Sequence, residues 1–172
     1  EMFKDYTTNQ RVNANLSGGG TVARSYIAAT FNNDTGLLKE NNSNSFNNNI
    51  SLRSTQLRSN ININVTSATE LSVRFSGTFE DYTGPLDGGS TLYRMALASD
   101  PVSFPMYYEG ALSGGSNTHI MFGNTSDGNY LNPYARMVRG YKEYNKLNLI
   151  AQVELKQKLD FITKGLSARA LF

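Results

Sequence analysis

The chain contains no cysteine and no tryptophan, and its 172 residues include one histidine and four prolines. Without cysteine, neither a disulfide framework nor a thiolate metal site is available. Any Ser–His–Asp arrangement would have to use His119, and no nucleophile elbow accompanies it. No stretch approaches the roughly 20 apolar residues that a membrane helix needs. Only a β-barrel would make such a chain integral to a membrane, because lipid cannot satisfy an open sheet edge. A mean hydropathy of -0.41 is compatible with that, since barrel strands alternate and barrel loops are polar. The formal charge is +2 and no basic run stands out, so nucleic acid is not an expected partner. The opening "EMFKDYTTNQ" has no basic region leading into an apolar one, and reads as a mature end or an internal cut rather than a signal peptide.

What is present is alternation. Leu57, Ile61, Ile63 and Val65 take odd positions, and Arg58, Asn60, Asn62 and Asn64 take even ones. After "TSAT" the pattern resumes, with Leu71, Val73, Phe75 and Phe79 against Ser72, Arg74, Ser76, Thr78 and Glu80. This is a period-two hairpin with one oily and one polar side. The same rhythm predicts strands over 11–17, 22–31, 146–156 and 161–172, which with the hairpin makes about six. In 22–31 the facing is ambiguous, because Tyr26 and Ile27 both suit the outward side. From 82 to 143 alternation gives way to a long Gly-, Ser-, Pro- and Tyr-rich loop.

The connections run short ("GGGT"), long (32–49), short ("TSAT"), very long (82–143), short ("QKLD"). In an antiparallel meander consecutive turns fall at opposite ends, so all short turns share one end and all long loops the other. Outer-membrane barrels have this asymmetry, with short periplasmic turns and long extracellular loops. The expected fold is therefore all-β: an antiparallel transmembrane β-barrel segment of about six strands, too few to close alone and part of a larger barrel. Ile61, Ile63, Val65, Leu71, Val73 and Phe75 should face lipid; Arg58, Asn60, Asn62, Asn64, Ser72 and Arg74 should face the lumen. A soluble or secreted β-sandwich binding a glycan is the alternative. A small self-contained barrel fits less well, because turn alternation sends the last strand away from the periplasmic end.

The passage "LSGGGTVARSYIAATFNNDTGLL" resembles the early barrel of SusC-like (SusC/RagA) TonB-dependent outer-membrane transporters of Bacteroidetes. "RSNININVT", "ELSVRFSGTFEDY", "LYRMALASDPVSFPMYYEG", "NPYARMVRGY" and "LDFITKGLSARALF" continue the likeness in order over nearly the whole chain. The resemblance implies a wall segment of a plugged barrel in the bacterial outer membrane, spanning 1–172 with an extracellular loop at about 82–143 and neither signal peptide nor plug. It further implies import of oligosaccharides or peptides, a SusD-like lid lipoprotein, and TonB engaged through a missing N-terminal part. Membrane lipid and the remaining barrel and plug are further implied partners; no cofactor, metal or enzymatic activity is expected.

Eight of the ten tyrosines lie in 82–144. Tyrosine offers a flat apolar face and a hydroxyl at low entropic cost, which suits stacking on sugars or peptide groups. Tyr82, Tyr141 and Tyr144 fit an aromatic girdle at strand ends. Tyr107, Tyr108, Tyr130 and Tyr134, with Asn132, are the candidates for ligand or partner contact. The asparagines of the polar side present both donor and acceptor to a polar solute or to a plug. "DPVSFPMYYEG" should be the firmest part of the long loop, since Pro101 and Pro105 restrict the backbone and Phe104 and Met106 supply apolar surface. "SGGGT" lacks the Lys–Ser/Thr of a phosphate loop and reads as a turn. Asp81, Asp87, Asp100 and Asp127 make calcium conceivable, without EF-hand spacing.

Overall fold

The computed structural model of the chain describes residues 2–40, 45–100, 102–108, 120–126 and 132–172. Ten elements follow in order: β1 Asn9–Gly19, β2 Ala23–Thr35, β3 Ser51–Asn64, β4 Thr69–Pro85, α1 Gly89–Ala98, β5 Tyr107–Tyr108, β6 Met121–Phe122, α2 Pro133–Val138, β7 Tyr141–Lys158 and β8 Ser167–Leu171. Five long strands and the five-residue β8 form one mostly antiparallel sheet in the order β1-β2-β3-β4-β7-β8, and β5 and β6 form a separate two-stranded pair. The protein is all-β in character. The large sheet is open, with β1 and β8 as its edges, and no closed barrel forms among the described residues. By contact the chain divides into two units: a loop unit (1–8, 34–51, 82–144) and a strand unit (9–33, 52–81, 145–172).

In the strand unit, register fixes which side chains share a side. Gly20 N–H donates to Ala23 O, and Thr30 Oγ1 donates to Asn13 Oδ1. The β1–β2 ladder thus places Thr30 with Asn13, and Ile27 with Leu16. The ambiguity of this strand is resolved: Ile27 and Phe31 join Val12 and Leu16, and Tyr26 joins the polar side. Asn64 N–H donates to Val22 O (2.7 Å), which sets Asn62 opposite Arg24 and Asn60 opposite Tyr26.

Across β4 and β7, Lys158 N–H donates to Ala68 O, and a Cβ on Gly77 would touch Leu149, Phe75 and Phe79. Leu71, Val73, Phe75 and Phe79 therefore share a side with Leu155, Val153, Ala151 and Leu147. The opposite side holds Glu80 with Lys146 at 4.0 Å, and Glu154 between Arg74 (2.8 Å) and Arg169 (3.6 Å). At the β3–β4 turn, Thr66 N–H donates to Thr69 O and Thr69 N–H to Thr66 O, and a recess of about 60 Å³ there is lined by Asn64, Glu70, Lys156 and Lys158 with the turn residues. In β8, paired antiparallel with β7, Arg169 lies opposite Lys156 and Ala170 opposite Leu155. The final turn is not "QKLD": Gln157 and Lys158 remain in β7, and the chain reverses from Leu159 to Leu166. Asp160 Oδ1 accepts from Gly165 N–H there, and Gly165 takes a positive φ of 83° that only glycine adopts without strain.

In the loop unit, two helices stand where sequence reading predicted only loop. Helix α2 is opened by Asn132, whose Oδ1 accepts from Tyr134 N–H and Ala135 N–H, with Pro133 in its first turn. Helix α1 has no side-chain cap and buries Leu92 completely. Leu92, Met137 and Val138 with Met2 and Leu38 form a small core, on which Phe3, Ala96, Met106, Phe122 and Tyr134 pack. These are all the buried hydrophobic residues among those described, and every one belongs to the loop unit. Phe104 and Met106 of "DPVSFPMYYEG" are half-buried, and Met106 packs on this core. Pro101, Glu109 and Gly110 of that stretch lie outside the described residues.

Candidate functional site

The loop unit contains a cleft of about 710 Å³, within the range of small-molecule sites. Phe3, Phe104, Met106 and Tyr134 give it apolar walls, and Asp5, Lys39 and Asp100 give it charge. Asp100 Oδ2 accepts from the Ser103 hydroxyl (2.7 Å) and its Oδ1 from Val102 N–H (3.0 Å). Those two bonds, the hydroxyl first, hold its carboxyl below the usual aspartate range.

The proposed tyrosines divide in role. Tyr107 stacks on Tyr134 with centroids 5.6 Å apart, and Tyr134 also meets Phe122 at 6.1 Å. Pairing of β5 with β6 sets Tyr107 opposite Phe122 and Tyr108 opposite Met121. Tyr107 and Tyr134 therefore belong to one aromatic cluster, while Tyr108 and Met121 stand together, each about half exposed. Tyr130 lies outside the described residues, as do His119 and Asp127.

Asn132 has a different task from the one expected. Its Nδ2 donates to Met106 O (2.8 Å) and Gly123 O (3.0 Å) while its Oδ1 caps α2. All four bonds of a primary amide are used inside the protein, leaving nothing for a ligand. Asp87, considered for calcium, is held by Arg139 at 2.8 Å and Arg136 at 3.6 Å. Among the described residues no three His, Asp or Glu side chains come together to hold a metal.

No protein family, curated protein or solved structure matches this chain. The site therefore rests on its own geometry.

Tyr82 and Tyr144 form a face-to-face stack, 4.8 Å and 17°, with Lys142 5.6 Å from the Tyr82 ring. Their strand parity is that of Glu80 and Lys146. Tyr141 has the other parity and stacks on Phe46 at 5.1 Å. In the strand unit, Arg74 lies on the side of β4 that holds Glu80, and Arg58, Asn60, Asn62 and Asn64 share one side of β3 with Arg24 and Tyr26 of β2. Sequence reading missed Tyr26 on that side and the Asp87–Arg136–Arg139 cluster. The first was hidden by a neighbouring Ile27 of equal claim; the second joins residues about fifty positions apart, which no local pattern records.

Proposed function

We propose that the chain is a wall segment of a SusC-like TonB-dependent outer-membrane importer of oligosaccharides or peptides. The observation that carries this reading is the apolar side of the strand unit. Phe75, Phe79, Leu147, Leu149, Val153 and Leu155 are between 38% and 57% exposed, and no hydrophobic residue of the unit is buried. Leaving six such side chains in water forgoes on the order of 10 kcal/mol, comparable to the whole stability of a domain. A bilayer covers such a side, and the strands of 11–18 residues that line it are long enough to cross.

The open edges at β1 and β8 call for further strands, supplied by the rest of the barrel. The polar side then lines the lumen and meets the plug and passing solute, and the long loop at about 82–143 is extracellular and contacts the SusD-like lid or the ligand. Solute is captured beneath the lid, the plug is displaced through TonB, and the solute passes along the polar wall. The alternative, a soluble β-sandwich glycan-binding module, needs a second sheet over the apolar side. Apart from the six-stranded sheet, the described residues form the two-residue β5–β6 ladder and an isolated Phe3–Leu38 bridge.

Cell fractionation of the whole polypeptide tests the reading. It should sediment with the outer membrane, require detergent for extraction and migrate differently on a gel before and after boiling. A monodisperse protein without detergent would refute it. Deleting 103–110 should leave assembly intact and abolish uptake or lid binding; normal uptake with normal lid capture would reduce the loop to a cover.

A further inference from the structure

The two units differ in charge: the strand unit carries ten Lys or Arg against five Asp or Glu, and the loop unit six against nine. Among the cations of the strand unit several lack an acid of their own. Arg74 and Arg169 share Glu154, and Lys146 faces Glu80. Arg24 and Arg58 have no ion-pair partner among the described residues. The β2–β3 register sets these two on either side of Tyr26: Arg24 two residues before it, and Arg58 opposite Ala28, two residues after it. Each step of two residues is about 6.6 Å along the strand. Asn60 lies opposite Tyr26 and Asn62 opposite Arg24. Tyr26 is 38% exposed, so part of its surface is open to solvent.

We propose that Arg24, Tyr26 and Arg58, with Asn60 and Asn62, form a subsite for an acidic oligosaccharide. The two guanidiniums suit carboxylates, which they bind in a fork geometry. The asparagine amides offer both donor and acceptor to sugar hydroxyls, and the tyrosine offers a flat face to a ring. An acidic peptide would satisfy the arginines but leave the hydroxyl-matching amides and the ring without their best partners. The subsite rests on reading the polar side as the lumen of an importer, and narrows its cargo from oligosaccharides or peptides to uronate-type sugars.

Isothermal titration of the whole detergent-purified protein provides the test, with tetragalacturonate, cellotetraose and tetraglutamate as probes. Tetragalacturonate should bind best and weaken as salt rises. Arg24→Gln with Arg58→Gln should weaken it at least tenfold, and Tyr26→Ala about tenfold, from the loss of charged hydrogen bonds and of stacking. Equal binding of the three probes, no binding of tetragalacturonate, or unchanged affinity in the variants would overturn the subsite. Each variant is first checked for detergent dependence and heat-shifted gel migration. A protein that binds the uronate but needs no detergent would refute the importer and keep the sugar site; the reverse outcome would refute the site and keep the importer.

Discussion

Replacing Asn132 with alanine removes four hydrogen bonds at once. Two cap α2 at Tyr134 N–H and Ala135 N–H, and two reach back to the carbonyls of Met106 and Gly123. Loss of an N-cap costs about 1 kcal/mol. Each carbonyl left without its donor adds about 1 kcal/mol, since Asn132 is only 6% exposed and Gly123 is buried. The total of about 3 kcal/mol falls on the loop unit, where the core is five side chains, so local opening should rise roughly a hundredfold. Hydrogen exchange at the Tyr134 and Ala135 amides reads this directly, and limited proteolysis between 102 and 140 reads it independently. Asn132→Asp separates the two halves of the effect. It keeps the capping oxygen but loses both donors and aims a carboxylate at two carbonyl oxygens, so at neutral pH it should protect no better than alanine. Exchange within threefold of the parent in both variants would show that Asn132 does not tie the loop together.

Lys4 Nζ donates to Glu40 Oε1 at 2.9 Å, and this bond, with the lysine charge, holds the Glu40 carboxyl below the usual glutamate range. A depressed folded value means the pair stabilises above the ordinary glutamate range and loses that contribution as pH falls through the folded value; for so exposed a pair it is a few tenths of a kcal/mol. An NMR titration of Lys4→Ala should move Glu40 back up, and an unchanged midpoint would refute the pairing. Gly123→Ala should destabilise the β5–β6 region by about 1–3 kcal/mol, because the Pro105 carbonyl oxygen occupies the space a Cβ needs; exchange protection at Tyr107 and Phe122 equal to the parent would contradict this. On the apolar side, Val153→Arg should cost about 2–4 kcal/mol in a folding titration in lipid bilayers if it lies near the midplane, whereas Gln152→Arg on the polar side should be close to neutral. Equal costs would mean that the two sides do not meet different solvents.

The sequence by itself determined the number of strands in the large sheet and the alternation within each, because side-chain period in a strand is exact. It also carried the signal for α2 in Asn132-Pro133, an N-cap followed by proline, although the surrounding Gly- and Tyr-rich composition concealed it. Helix α1 left almost no local trace, since Gly88 supplies no capping side chain and its first turn holds no acid. Strand ends were equally silent: β3 starts at Ser51, β4 continues to Pro85 and β7 begins at Tyr141, each beyond its stretch of clear alternation. Only tertiary structure decided these, because pairing across the ladder extends a strand whose own residues are indifferent. Only tertiary structure, too, sent Tyr26 to the polar side, committed Asn132 to internal carbonyls and brought Asp87 to Arg136 and Arg139. Each of those outcomes depends on which distant backbone or side chain arrives opposite, and that is a property of register and packing rather than of neighbours in the chain.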